Sequence, residues 1–396
     1  MDSISNILLC SLMPRNLLSF GPEFQRLDLL PLNVLVGANG SGKSNLFEAL
    51  QLLRASSKEM ESVIRSGGGI IEWIWKGEPN KLASIDCVTQ GRSPLESLRH
   101  VLSFGVAEQR FELFDERIED AYVDDTGSCD RYYVGLAEGT PNLLTTVAHG
   151  EKSWTQAPLG RPQMSILSFF QDPVHFPELF SLSNAYSRIK IYREWTFGRN
   201  AVFRTPQRAD MRNDVLEEDF SNLGLVLNRL KTKFPAAKKA ILNGLKDLYD
   251  GITDFDVLIE GGSVQVFFTE GDFVIPATRL SDGTLRYLCL LAILCDPTPP
   301  PLICIEEPEL GLHPDILPNL ADLLISASER TQLIVTTHSD ILVDAMTERP
   351  DAVVVCEKHD GCTEMKRQSK DELAVWLDKY RLGQLWIDGQ LGGKRW

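Results

Sequence analysis

The chain has 396 residues, 43% apolar and 24% charged, and 40 basic against 55 acidic side chains give a formal net charge of −15. That composition excludes a disordered or fibrous chain. The acidic excess argues against a surface wrapped throughout in nucleic acid, while leaving a local basic patch open.

The length fits two or three domain-sized units, or one large α/β unit with insertions. No apolar run approaches the roughly 18 residues of a bilayer span. No basic residue precedes the short apolar stretch of MDSISNILLCSLMPRN, so neither a membrane segment nor a signal peptide is expected. The eight cysteines form no CxxC pair, and Cys289, Cys295 and Cys304 sit in apolar runs, where cysteine behaves as a small buried hydrophobe. A reduced, cytoplasmic protein is expected.

In chain order, LNVLV (32–36) reads as a strand, followed by a glycine-rich turn and the helical pattern SNLFEALQLLR. From Gly67 to about Phe203, β-rich stretches (LASIDCV, RYYVGL, RIKIYREW) separated by turn clusters (DDTGSCD, LAEGTPN) suggest short antiparallel strands. From Val215 to about Ile252 the period becomes helical, in two amphipathic segments separated by a proline. The hairpin-like FDVLIEGGSVQVFF, the SDGT turn, the apolar helix LRYLCLLAILC and a Pro-rich break follow. Then come PLICIEEPE, a helix near Leu317–Ser328, the strand QLIVTTHS, another helix and the strand AVVVCEK. Apolar strands alternating with helices indicate a parallel sheet covered on both faces.

Residues 37–44, GANGSGKS, fit the phosphate-loop pattern between a strand and a helix. Glycines at such a turn let backbone N–H groups converge on phosphate oxygens, and the helix N-terminus adds its positive dipole end. Lys43 is then expected to reach the β- and γ-phosphates, and the Ser44 hydroxyl to ligate Mg²⁺.

LICIEEPELGLHP puts Glu306 and Glu307 at the C-terminal end of an apolar strand, where parallel α/β sheets place their ligands. Glu306 suits a Mg²⁺ shell, and Glu307 can orient or deprotonate an attacking water. The turn LSDGT (280–284) opens a helix and offers a second anion-binding N-terminus, although a plain helix cap explains it equally well. His338 ends the strand QLIVTT and can contact a γ-phosphate, although a lone histidine there is more often structural. The order GANGSGKS, LSDGT, IEEPELGLHP, TTHS carries more information than any one of these strings.

With these motifs in this order, the chain resembles the ABC-type ATPases of the RecF/SMC class, and more closely their compact branch without long coiled coils. GANGSGKSN is similar to the Walker A loop with Asn45 following it, LSDGTLR to the signature, and IEEPE to Walker B plus catalytic glutamate. ELGLHP resembles the D-loop and TTHSD the switch histidine, and the lead-in and the ending LWIDGQLGGKRW also resemble that branch. The resemblance covers nearly the whole chain and is vague between about residues 80 and 180.

It implies a P-loop NTPase of ABC-ATPase type, with a mixed or parallel sheet flanked by helices, an antiparallel β subdomain and a helical signature subdomain. The corresponding divisions are residues 1–205, 206–285 and 286–396. It implies ATP and Mg²⁺ as cofactors, and a head-to-tail dimer with ATP between the Walker A loop of one copy and the signature of the other. Gly37, Asn39, Gly40, Ser41, Gly42, Lys43, Ser44 and Asn45 would bind nucleotide. Ser44 and Glu306 would serve the metal, with Glu307 the catalytic base and His338 the γ-phosphate sensor. Ser281 and Gly283 would act in trans. A Q-loop glutamine is also implied, with Gln171 the best candidate.

Two competing readings share these motifs. A transporter ATPase subunit would not usually carry 235 residues between Ser44 and Leu280, nor read LSDGT. A nucleotide-gated scaffold with little turnover is opposed by the presence of both glutamates. Only 57 residues follow Ser339, too few for a Toprim nuclease domain, so any nuclease effector is expected to be separately encoded. The resemblance also suggests DNA repair or bacterial genome defence. The segment 188–212 interleaves Arg188, Lys190, Arg193, Arg199, Arg204, Arg208 and Arg212 with Tyr192, Trp195 and Phe197. That mixture suits DNA contact, or equally a basic strand edge with a solvated loop.

Overall fold

The computed structural model describes residues 7–91, 96–122, 129–135, 141–146, 152–157, 163–196, 198 and 201–392. Two compact units divide the chain, and each is interrupted in sequence. The first comprises Met1–Ile189, Asp351–Ser369 and Gly389–Trp396, the second Lys190–Pro350 and Lys370–Asp388.

An eight-stranded antiparallel sheet dominates the first unit. Its strands lie in the order Leu27–Asp28, Leu9–Arg15, Ala83–Thr89, Leu98–Ala107, Arg110–Asp120, Arg131–Val134, Asn142–Thr146 and Lys152–Gln156. Side chains alternate between buried and half-exposed along Ala83–Thr89, as expected of a strand with one face packed and one face wet. The β-rich stretches LASIDCV and RYYVGL fall in this sheet. The turn clusters DDTGSCD and LAEGTPN lie largely outside the described residues.

A second layer of this unit pairs Leu32–Val36 in parallel with Val353–His359, which pairs antiparallel with Cys362–Arg367. Every residue of Leu32–Val36 is buried, which fits a strand covered on both faces. The helix Lys43–Ser56 follows directly and buries Leu46, Phe47, Leu50 and Leu53. That 3–4 spacing is one apolar stripe.

The second unit contains three parallel strands in the order Lys190–Tyr192, Leu302–Glu306, Gln332–Thr337. Beside them the helix Asp282–Leu294 buries every residue from Leu285 to Leu294. A helix apolar on all sides can be stable only when surrounded. The two amphipathic segments become helices Leu223–Lys233 and Pro235–Leu248. Pro235 stands in the first turn of the second helix, where its missing N–H costs nothing. The hairpin Ile252–Glu260/Ser263–Glu270 turns over Gly261 and Gly262, both at positive φ, the geometry a two-residue hairpin loop demands.

Two expectations need correction. RIKIYREW is not part of the antiparallel series: Lys190–Tyr192 lies parallel to Leu302–Glu306, with Tyr192 opposite Ile305. Three residues are too short for a period to announce the partner, and long-range pairing decides it. Within the same β-rich stretch, Pro177–Ser187 is a helix begun by Pro177. Among the described residues, no helix is long and apolar enough to cross a membrane.

Candidate functional site

In the first unit, the strand Leu32–Val36 ends at the loop 37–42, and the helix begins at Lys43. Gly42 caps that helix at φ 98°. A Cβ there would stand 2.0 Å from the Thr363 hydroxyl, so both conformation and space require glycine. The Lys43 ammonium folds over the loop and donates to the carbonyls of Gly37 at 2.8 Å and Ala38 at 2.9 Å. The Ser41 hydroxyl is buried and makes no hydrogen bond. Such an atom needs a partner, and a phosphate oxygen held by the loop would supply one. Asn39 and Ser44 are exposed. A cavity of about 440 Å³ opens beside the loop, lined by Asn39, Gly40, Ser41, Glu357, Lys358 and His359 among others. Loop and cavity fit the triphosphate expected from the sequence.

A polar chain fastens the loop from behind. The Asn45 amide donates to Ser19 Oγ at 2.6 Å, Ser19 and Thr363 hydroxyls meet at 2.6 Å, and Thr363 Oγ1 donates to the Ser41 carbonyl at 3.0 Å. With Thr363 donating to Ser41, the Ser19 hydroxyl must donate to Thr363, so all the donors point one way. Aligned bonds of this kind polarise and strengthen one another. Ser19 and Thr363 were not among the sequence candidates. They lie 344 residues apart, and no local pattern marks either.

The second unit carries the acidic pair and the signature. Glu306 ends its strand, and Glu307 adopts a left-handed backbone, φ 46°, which is uncommon for a side-chain-bearing residue and is sustained only when its surroundings fix it. Here they do. The Glu307 N–H donates to the Thr336 carbonyl at 3.0 Å, and its own carbonyl accepts from Leu310 N at 3.1 Å and from the Arg286 guanidinium. The backbone twist leaves Glu307 Oε1 3.5 Å from His338 Nε2. The two residues expected to act in catalysis are therefore neighbours.

Glu309 links the following loop to the histidine. Its Oε1 accepts from the Thr337 hydroxyl at 2.6 Å and from the His338 N–H at 2.8 Å. Burial pushes its carboxyl above the usual carboxylate range, against those hydrogen bonds. Ser281 caps the signature helix by accepting from Thr284 N at 3.1 Å. Gly283 abuts the loop after Glu309, where a Cβ would come within 2.8 Å of the Gly311 carbonyl.

Arg286, the last residue of LSDGTLR, joins these pieces. It is 1% exposed, sits 4.1 Å from the Trp195 ring centroid and donates to the Glu307 carbonyl. Burial brings its pKa down to about 10, with Glu309 and Glu307 opposing the fall, so it is charged at neutral pH. The sequence signal was a cation inside the apolar run LRYLCLLAILC.

The basic and aromatic segment is mostly spoken for. Arg193 Nε donates to Glu306 Oε2 at 2.9 Å, and Trp195 Nε1 donates to the Glu306 carbonyl at 2.9 Å. Arg204 pairs with Asp282, Lys190 with Glu217, Arg208 with Asp210 and Arg212 with Asp214. The Tyr192 hydroxyl is buried on the Leu216 carbonyl. Phe197 and Arg199 lie outside the described residues, and Arg188 is exposed. Lys190, Arg193 and Arg204 are thus half-buried on carboxylates of their own unit, whereas Arg208 and Arg212 are exposed beside theirs. Gln171, the Q-loop candidate, is exposed in the first unit, whereas Arg193 reaches the Glu306 carboxylate. Among the described residues, no group of three or more His, Cys, Asp or Glu could by itself hold a metal. Mg²⁺ commonly needs only one or two protein ligands beside phosphate and water, which suits a single carboxylate at Glu306.

This geometry agrees with the comparisons. The chain is 23% identical over 367 residues to the Old nuclease of Escherichia phage P2, across 86% of this chain and 58% of that protein. It therefore spans less than two thirds of that relative's length. In fold it is similar to an SMC head bound to the C-winged helix domain of ScpA (TM-score 0.54, 16% identity, 92% of this chain and 99% of that one). It is also similar to the Smc head domain with an extended coiled coil bound to the C-terminal domain of ScpA, from Pyrococcus furiosus (TM-score 0.55, 15% identity, 94% and 99%). Residues 32–344 match the family described as "AAA domain, putative AbiEii toxin, Type IV TA system". As that match takes in most of the chain, the protein, which shares the fold of SMC heads, belongs to this AAA family.

Proposed function

We propose that the protein binds ATP with Mg²⁺, dimerises on it and hydrolyses it, using the cycle as a switch on DNA or on a separately encoded, nuclease-like effector. The observation that carries hydrolysis is the Glu307–His338 approach at 3.5 Å on a backbone held left-handed. A carboxylate so fixed is ready to orient a water without further reorganisation.

Gly37, Asn39, Gly40, Ser41, Gly42, Lys43 and Asn45 form the phosphate cradle. Lys43, which now satisfies two loop carbonyls, turns to the phosphates. Ser44 and Glu306 hold Mg²⁺, which supplies charge neutralisation for the phosphates when bound. Glu307 takes the water's proton and His338 reads the γ-phosphate. Ser281 and Gly283 present the signature helix N-terminus to nucleotide on the second copy, which makes the interface isologous. The likeness to the Old nuclease supports a role beside nuclease chemistry, and the motif resemblance adds genome defence in the cytoplasm. A DNA-directed clamp rests on the motif resemblance, to which the exposed Arg188, Arg208 and Arg212 of the 188–212 segment add a local basic contribution.

Mixing tests the shared site. Lys43→Ala and Ser281→Arg are each expected to be inactive alone, and the mixture to recover part of the parental ATPase rate, because one composite site in the mixed dimer is intact. Full activity of Ser281→Arg alone would refute the shared site.

A further inference from the structure

The cation on Glu306 lies just where the proposed function needs a metal ion. Register makes this contact: Tyr192 stands opposite Ile305 in parallel strands, so Arg193, just past its strand, comes beside Glu306, the last residue of the neighbouring one. Their side chains are only 25% and 18% exposed, and a charge-assisted bond in that setting is stronger than a surface pair. Trp195 fastens the same segment to the Glu306 carbonyl. Its ring covers Arg286, which holds the Glu307 carbonyl. Residues 193–195 therefore touch Glu306 directly and Glu307 through Arg286.

We infer that Arg193 is a latch on the metal-binding carboxylate, and that Mg²⁺ binding with ATP displaces it. The inference rests on the reading of Glu306 as a metal ligand. Mg²⁺ coordinates oxygen at about 2.0–2.1 Å with little tolerance of geometry, and a guanidinium on the same oxygen repels it. Metal and Arg193 thus compete for the charge of the Glu306 carboxylate. Departure of Arg193 moves the strip that carries Trp195, and with it the cover over Arg286. Metal loading at Glu306 is in this way tied to the contacts that support Glu307.

The test uses the Glu307→Gln chain with saturating ATP, so that turnover does not interfere, and titrates Mg²⁺. The readout is Trp195 fluorescence, taken as the difference from the same chain carrying Trp195→Phe. The signal is expected to change on adding Mg²⁺ and to stay at its starting level with ATP plus chelator. In Arg193→Met the half-saturating Mg²⁺ concentration is expected to fall about tenfold, the scale of one charged hydrogen bond, and the Trp195 signal to begin near its metal-loaded level. Arg193→Lys, with a shorter reach, gives a smaller shift in the same direction and serves if the Met variant does not fold. An unchanged or higher Mg²⁺ requirement, or a Trp195 signal indifferent to metal, overturns the latch. Glu306→Gln separates the two layers. If it abolishes the Mg²⁺ response while Arg193→Met does nothing, the latch alone is wrong; if it leaves the response intact, Glu306 is not the ligand and both readings fall.

Discussion

Arg286 donates to the carbonyl of Glu307 from a position 1% exposed beneath the Trp195 ring. One residue belongs to the helix opened by LSDGT, the other to the end of the acidic strand. A hydrogen bond from a cation to the backbone of a residue with positive φ gives the signature helix a direct hold on the proposed catalytic base.

If that hold positions Glu307, its loss should appear in turnover before binding. Arg286→Met keeps most of the side-chain volume and removes the donor. The expected result is a kcat lower by about tenfold or more, the scale of one charged hydrogen bond, with KM for ATP little changed. Arg286→Lys, able to donate but not to stack as a plane on Trp195, should recover part of the loss. Steady-state kinetics on the three proteins decide it. Equal falls in ATP binding and turnover would make Arg286 a folding residue instead.

The chain from Asn45 through Ser19 and Thr363 to Ser41 makes a separate claim about the phosphate loop. Thr363→Val removes a buried hydroxyl and leaves its partners unsatisfied, at a cost of about 1–3 kcal/mol. Because the bonds end on the loop, nucleotide affinity should drop about five- to tenfold. Equilibrium binding of ATP checks this, with thermal unfolding measured in parallel. Parental affinity in a destabilised protein would show that the chain supports the fold and not the loop.

How far the sequence reaches depends on how local the physics is. GANGSGKS was legible because a phosphate loop is built from consecutive residues between one strand and one helix. The hairpin at Gly261–Gly262 was legible for the same reason, since two adjacent glycines meet the demand of a single turn. The acidic pair was readable because it ends an apolar strand, and the parallel strands Leu302–Glu306 and Gln332–Thr337 appear where the apolar runs put them. By contrast, Arg193 and Glu306 are 113 residues apart, and only the pairing of a three-residue strand brings them together. Composition cannot show which cations of that segment have carboxylate partners, as Lys190, Arg193 and Arg204 do. Arg286 was visible as an anomaly, a charge in an apolar helix, but its partner was not. The helix Pro177–Ser187 was missed because PELFSLSNAYS is rich in serine and asparagine, weak helix formers that tertiary packing overrides.

Hydrolysis turns on Glu307, so the most direct measurement is the ATPase rate of Glu307→Gln beside its equilibrium ATP binding. The amide preserves shape and removes the base. The expected result is parental ATP binding with turnover lower by about a hundredfold or more, the scale of general-base catalysis. Hydrolysis at the parental rate would contradict the assignment and, with it, the role given to His338 and Arg286.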